Sequence, residues 1–408
     1  MRVAFLTPEH PSEYPDGGGL GTYVDRMSRA LLDAGHEPEV FVPSTQLSET
    51  VRYHGVTVHR VNWKMDQPVL RLLRVIAENV IWGDNWRYRA DIMLQAKRMA
   101  SALERRHAVA PFQLVQSADY LATGLLVRRR RDRPHVVRCS SAADLYNQAD
   151  GNCSSLGALR ESLERRAIRR ADVAYAPSQF VASHFRRAHD IEVRVIRPPV
   201  HREGPNLEEP TVPLPSRYFL HFGGYLCERK GTHLLAAALP IAWAKAPDLT
   251  MVWSGRVEDE KNLREWRSLW GERGNQVHIT GPLVRPQMQA VVARADATVL
   301  PSKVDNLPNT VIESLTLGVP VIGSRGASID ELVEEDRTGH LVALGDVHGL
   351  AEALAMMWLR ASPVSKGFAW RSDLLQEMQP GRAVASLIGL VPSAAFHRHR
   401  HECMDDRA

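Results

Sequence analysis

Two carboxylates and a lysine in the C-terminal half of the chain have the types and spacing to surround a phosphorylated ligand. Asp305 and Glu313 have seven residues between them in the stretch Val299 to Ile322, VLPSKVDNLPNTVIESLTLGVPVI. Lys230 stands just before Gly231 after an apolar run that ends near Phe222. A lysine before a glycine at a helix start holds a phosphate as a point charge. The N–H groups of Asn309, Thr310 and Val311 form a second anion site, which the two acids would flank. A carboxylate near a helix N-terminus also suits the macrodipole, so a purely structural role for Glu313 competes on equal terms.

These side chains need elements to position them. Val299 and Leu300 end a strand that Pro301 stops, and the polar residues after it make a loop at the strand's carboxyl end. Asn309 reads as an N-cap with Thr310 first in the helix, Val311, Ile312 and Leu315 recur at helical spacing, and Gly318 stops the run. Val319 to Ile322 is a second short strand. In open α/β sheets, ligands bind beyond the carboxyl ends of strands.

An acid, seven residues, a glutamate and then a helix ending in Gly-x-Pro-Val-Ile resembles the signature of the retaining glycosyltransferases of family 4. That resemblance implies an α/β chain of the GT-B fold, with two Rossmann-like domains facing each other across a cleft. It also implies that Glu313 grips the ribose of a nucleotide sugar and that Asp305 meets hydroxyls of the donor sugar beside Asn306 and Leu307. The family has Glu first and a Gly-Phe-Gly loop, whereas this chain has Asp305 followed by Asn306, Leu307 and Pro308. In the family, the loop before Lys230 carries an arginine six residues upstream of the lysine, both on the donor diphosphate. Lys230 matches the lysine, and Gly224 stands at the arginine position. Arg138, from across the cleft, is the expected source of the missing charge. The turn at Pro282 and Leu283 would border the base.

A chain of 408 residues exceeds one ordinary core and fits two domains. The expected division is an N-terminal domain over 1–197, a Pro-rich linker over 198–216 and a donor-binding domain over 217–375. A helix over 376–395 would cross back, and 396–408 would be a tail. Net charge is +4, which attracts anions weakly and excludes nucleic acid as the expected partner. The four cysteines, Cys139, Cys153, Cys227 and Cys403, show no pairing and no metal spacing, which reads as a reduced, cytoplasmic protein. No uncharged apolar run reaches the ~20 residues that span a bilayer.

In the N-terminal half, Val3 to Leu6 is a strand, and Gly17, Gly18, Gly19 and Gly21 open a helix ending at Gly35. Glycine lets the backbone approach a phosphate, although a tight turn needs glycine as well. The nine-residue loop Pro8 to Asp16 stands between strand and glycines, which argues against a dinucleotide fingerprint. The pair Gly18-Gly19 resembles the first unit of the same glycosyltransferase family. Asp119 ends a strand on the acceptor side, and Ser140 stands where family members often carry a histidine. The segment Trp63 to His107 reads as helical, with arginines among apolar residues. A core helix with a solvated face is its commoner explanation, and peripheral contact at a membrane is the alternative. Arg128 to Arg131 read as the end of a helix that starts near Leu121, where positive charge complements the dipole. His397, His399, His401 and Cys403 read as a frayed polar end rather than a metal site.

The expectation is therefore a retaining transfer of sugar from a UDP- or GDP-linked donor, a co-substrate rather than a cofactor, to a glycan, lipid-linked or small natural-product acceptor. No Asp-x-Asp follows a strand, so no catalytic metal is expected. A protein that binds nucleotide sugars without transfer, or an epimerase or phosphorylase on the same fold, is the alternative.

Overall fold

The computed structural model describes residues 1–14, 18–64, 84–151, 154–200, 208–360, 364, 366–368 and 370–390. The chain forms two compact units. The first comprises Met1–Pro177, Val181–His201 and the chain from Gln376; the second comprises Ser178–Phe180 and Arg202–Leu375.

The first unit is an eight-stranded sheet, in the order β3-β4-β2-β1-β5-β6-β7-β8. Its strands are β1 (Arg2–Leu6), β2 (Glu37–Ser44), β3 (Glu49–Tyr53), β4 (Val56–Asn62), β5 (Leu114–Ala118), β6 (His135–Arg138), β7 (Val173–Ala176) and β8 (Arg194–Val195). Only the edge strand β3 runs antiparallel. The central strands β1, β5 and β6 are buried almost throughout, as apolar runs such as VAFL require in a sheet covered on both faces. The helix Gly19–Asp33 packs Tyr23, Val24, Met27 and Leu31 against Val3 and Phe5. The helix Pro380–Ile388 adds Ala383, Val384 and Leu387 to the same core.

At the edge of this core, Glu39 takes hydrogen bonds from Arg106 Nε and Nη2 at 2.8 and 2.9 Å, lies 2.7 Å from His59 Nε2 and pairs with Arg2. Burial alone would raise its pKa, but the bonds from His59 and Arg106 outweigh it and hold the carboxyl at about 2. A depressed folded value means that the stabilisation is present above the unfolded value near 4.5 and is lost as pH falls toward 2. Acid titration should therefore unfold the first unit progressively over that window, and Glu39→Gln should remove most of that pH dependence. A Glu39→Gln protein with an unchanged acid transition would refute this.

The second unit is a six-stranded parallel sheet, in the order β11-β10-β9-β12-β13-β14. Its strands are β9 (Phe219–Leu226), β10 (Met251–Val257), β11 (Val277–Ile279), β12 (Ala297–Leu300), β13 (Val321–Ser324) and β14 (Gly339–Val342). Counted from β9, this is the doubly wound order 3-2-1-4-5-6, which has its topological switch point between β9 and β12. Trp253 packs edge-on against Trp266 and Trp270 on one face of the sheet. Both units thus have the doubly wound α/β architecture.

Several local expectations differ from the structure. Residues after Tyr120 form a 3-10 turn with Leu121 and Ala122 at positive φ, and no α-helix follows. The arginines of 128–131 therefore end no helix that starts near Leu121, and Arg129 instead meets the C-terminal end of the helix Ser155–Arg170. Arg129 donates to the carbonyl of Arg170 at 2.8 Å, and the buried Arg133 pairs with Glu104 at 2.5 Å. The helix expected over 63–107 spans Asp84–Val109, with 65–83 outside the described residues. The His-rich tail, Gly17, Cys153, Cys403 and part of the Pro-rich linker also lie outside them. Cys139 and Cys227 are buried free thiols. No described helix is long and apolar enough to cross a membrane.

Candidate functional site

At the switch point of the second unit, β9 and β12 pair only through Phe219 with Ala297 and Leu220 with Thr298. Beyond those pairs no further pairing joins the two strands, and their carboxyl-end loops lie where ligands bind in open α/β sheets. The loops are tied to each other rather than left loose. Lys303 N–H donates to the carbonyl of Arg229 at 2.8 Å. Gly231 sits at φ +75°, and a Cβ there would lie 1.9 Å from the carbonyl oxygen of Pro301. Only glycine permits that approach. His221, fully buried, is held neutral by burial at about 4. Its Nδ1–H donates to the carbonyl of Val299 at 2.7 Å, and its Nε2 accepts from Thr232 Oγ1 at 3.0 Å. This histidine therefore links both strands to the head of the helix Thr232–Lys245.

The frame brings two of the expected residues into contact. Lys230 Nζ donates to Asp305 Oδ2 at 2.5 Å, across 75 residues of sequence. Asp305 also accepts from the N–H of Asn306 at 3.1 Å. The lysine keeps 26% of its side-chain surface open to solvent and the aspartate 10%, so the ammonium is the accessible half of the pair. An ammonium has three donors, and Asp305 uses one of them here. Leu307 is buried at φ +56°, its N–H bonded to Ser328 Oγ at 2.8 Å, and that hydroxyl donates to the carbonyl of Asp305 at 3.1 Å. A leucine in the left-handed region is strained, and Ser328 supports it from outside the loop.

The helix begins one residue earlier than expected. It spans Asn309–Thr316, with Pro308 at the N-cap position and no side-chain cap. Proline fixes φ near −65° ahead of the helix, so Asn309 takes helical geometry rather than the extended geometry of a cap. Glu313 consequently lies in the second turn, and no acid occupies the first. Asn309, Thr310 and Glu313 are half-buried, at helical spacing on one face, while Val311, Ile312 and Leu315 are buried on the other. Ser314 Oγ accepts from Thr298 Oγ1 at 3.0 Å and donates to the carbonyl of Thr310 at 2.7 Å, which anchors the helix to β12. Gly318 follows at φ +67°, as a C-terminal stop requires.

On the other side of β9, Gly281 accepts hydrogen bonds from Gly255 N–H and Ser254 Oγ, at 3.1 and 2.9 Å. These bonds fix the turn that carries Pro282 and Leu283 against the end of β10. Gly224 is exposed there, with nothing within 4 Å of an added Cβ. Its neighbour Tyr225 pairs in register with Arg256, whose guanidinium lies 5.6 Å from the Tyr225 ring.

In the first unit, Gly18 is the N-cap of the helix Gly19–Asp33, and Glu9 Oε1 accepts from the N–H of Gly21 at 3.0 Å. A carboxylate of this chain thus engages the glycine-rich helix start. Arg138 is 7% exposed; its guanidinium sits 4.0 Å from the Tyr23 ring centre and donates to Ser140 Oγ at 2.7 Å. Asp119 is buried and accepts from the N–H groups of Ser140, Tyr120 and Ser141 at 2.7, 2.8 and 3.3 Å. Burial pushes its carboxyl up, against the pull of those bonds. Glu164 is pushed up to about 8 by burial and by Asp119, and accepts from the N–H of Leu121 at 3.0 Å.

Sequence reasoning missed His221, Ser328, Glu9 and Glu164. Each is a single polar residue set by tertiary contact, with no spacing to announce it.

Family profiles match two segments of this chain. Residues 17–203 match a profile described as glycosyltransferase family 4, and residues 216–359 match one described as glycosyl transferases group 1. A D-inositol 3-phosphate glycosyltransferase of Paenarthrobacter aurescens is 24% identical, over 96% of this chain and 100% of its own. Sucrose-phosphate synthase of Thermosynechococcus elongatus superposes with a TM-score of 0.67 at 18% identity, covering 100% of this chain and 98% of the other. Anabaena HepE, solved with UDP and glucose, superposes with a TM-score of 0.60 at 16% identity, with 100% of both chains covered. The fold is that of GT-B glycosyltransferases.

Proposed function

The chain belongs to glycosyltransferase family 4, and from that premise we propose a retaining enzyme that moves a sugar from a nucleotide-diphosphate donor to a hydroxyl acceptor. The observation that carries the donor assignment is the contact of Lys230 with Asp305 at the switch point of the second sheet.

In this reading, breaking the bond between sugar and diphosphate builds negative charge on the leaving oxygens while the sugar becomes oxocarbenium-like. Donors already in place at the diphosphate lower that barrier. Lys230 supplies the ammonium, and Asp305 holds it in position while its remaining acceptor capacity meets the sugar hydroxyls beside Asn306 and Leu307. Glu313 accepts from the ribose hydroxyls, Asn309 and Thr310 present the helix start to phosphate, and Pro282 and Leu283 border the base. Gly18 and Gly19 leave the backbone of the first helix start open to the close approach of a phosphate. Asp119 organises the loop of Ser140 on the acceptor side. The donor is UDP- or GDP-linked, in keeping with the UDP and glucose bound by HepE. A hydroxyl acceptor is supported by the D-inositol 3-phosphate in the name of one relative, with glycan, lipid-linked and small natural products as the classes to assay. Transfer proceeds without a catalytic metal, in a cytoplasmic protein, with peripheral membrane contact where the acceptor is lipid-linked.

UDP and GDP should each be tested for protection against thermal unfolding, followed by nucleotide release from the matching donor with acceptor pools. Protection with release on acceptor addition is the expected result. Protection without release from any donor would leave only a binding protein.

A second cation is needed where the family has arginine. We assign it to Arg138, and Arg138→Ala should lower turnover by more than twofold. Gly224→Arg should recover that loss, because Gly224 is exposed, keeps a negative φ and has open space around a Cβ. Turnover of Arg138→Ala within twofold of wild type, or no recovery in the double variant, would count against the assignment.

A further inference from the structure

Away from the donor crevice, the first unit gathers three metal-ligating side chains at one point. His184 and His189 lie on the helix Gln179–His189, and Asp144 lies on the helix Ala143–Ala149. His184 Nε2 is 2.6 Å from Asp144 Oδ2, and His189 Nε2 is 2.8 Å from the same oxygen. All three ligating atoms fall within 4.8 Å of one another, and the side chains are 13–21% exposed. We propose that His184, His189 and Asp144 form a binding site for a divalent transition-metal ion, with Zn²⁺ as its chemical match.

Two imidazole nitrogens and one carboxylate oxygen are a ligand set that zinc takes, with a fourth position for water. Zinc–ligand bonds of ~2.0–2.1 Å in tetrahedral geometry separate ligand atoms by ~3.3 Å. The observed separations are about half an ångström shorter, so the Asp144 carboxylate must back away slightly to admit the ion. A small cavity bordered by Asp144 and His189 gives it room, and Asp119, Glu161 and Glu164 also line that cavity.

One group opposes the site. Arg165 Nη1 faces His189 Nδ1 at 3.5 Å and donates to Glu161 Oε1 at 2.7 Å. An arginine can only donate, so it favours the tautomer with the proton on Nε2, the nitrogen that the metal needs bare. Arg165→Gln should therefore strengthen metal binding, which a purely hydrogen-bonded trio would not do.

The His-rich end of the chain is a competing chelator, so the test uses the full chain carrying His397→Ala, His399→Ala, His401→Ala and Cys403→Ala. Zn²⁺ is titrated into EDTA-treated, dialysed protein by calorimetry, and Co²⁺ is followed by its visible d–d absorption. One ion per chain should bind, with a rise in melting temperature. His184→Gln and His189→Gln should each weaken binding tenfold or more while far-UV circular dichroism stays unchanged. Asp144→Asn, the same shape without the charge, should weaken binding likewise and guards against a histidine variant that fails to fold. Absence of binding at ~100 µM Zn²⁺, or binding unaffected by these three substitutions, would overturn the site. So would binding that disappears with the tail substitutions alone. None of these readouts involves sugar transfer, so the outcome is independent of the donor reading.

Discussion

Lys230→Met is expected to lower turnover by about a hundredfold to a thousandfold, the usual effect of removing one preorganised donor from developing negative charge. The side chain lies at the one place in the second sheet where its strand order reverses, and its ammonium is held by Asp305 at 2.5 Å. Methionine keeps the length and loses the charge. The loss should appear in kcat as well as in affinity for the nucleoside diphosphate, because the demand for positive charge grows as the leaving oxygens become anionic. A nucleoside monophosphate should bind the variant nearly as well as wild type if the lysine meets the second phosphate. Turnover within threefold of wild type, in a variant of unchanged melting temperature, would remove Lys230 from the chemistry. Asp305→Asn is a useful companion, since it retains the shape of the partner while weakening its hold on the ammonium.

The largest expected effect on stability belongs to Gly231→Ala. The new methyl carbon would sit 1.9 Å from the Pro301 carbonyl oxygen, 2.6 Å from its carbon and at φ +75°. Backbone on backbone cannot move aside like a flexible side chain, so the two loops must separate. Strain of this kind costs about 3 kcal/mol, which is roughly 6–12 °C of melting temperature for a unit of this size. Because Lys230 precedes this glycine and Asp305 follows Pro301, activity should fall along with stability. A scanning-calorimetry shift of under about 2 °C would mean that the loops part freely, and that their contact does not set the crevice.

Much of the architecture is legible from pattern. Short apolar runs alternating with amphipathic segments indicate parallel sheets, and the acid pair at its spacing points to the family and to the crevice. Local geometry was harder to read where two signals conflict. Asn309 is a strong capping residue, yet Pro308 before it fixes the backbone and moves the helix start by one position, which puts Glu313 one residue deeper, just past the first turn. The arginines near 130 resemble a helix end, yet Leu121 and Ala122 turn left-handed in the structure, and Arg133 goes to Glu104 instead. Propensity acts over a few residues, while the second of these outcomes is set by contacts dozens of residues away. His221 illustrates the same limit. Nothing in FLHFGGYL announces that its one histidine will be buried, neutral and bonded on both ring nitrogens.

The first unit's core is completed by Val384 and Leu387, which leave the ribosome only after the whole of Arg202–Leu375 has been made. During synthesis the second unit has a contiguous stretch of chain from which to fold, whereas the first must wait with an apolar groove open beside Tyr23 and Met27. The core of the first unit is therefore complete only once the second unit has been translated in full.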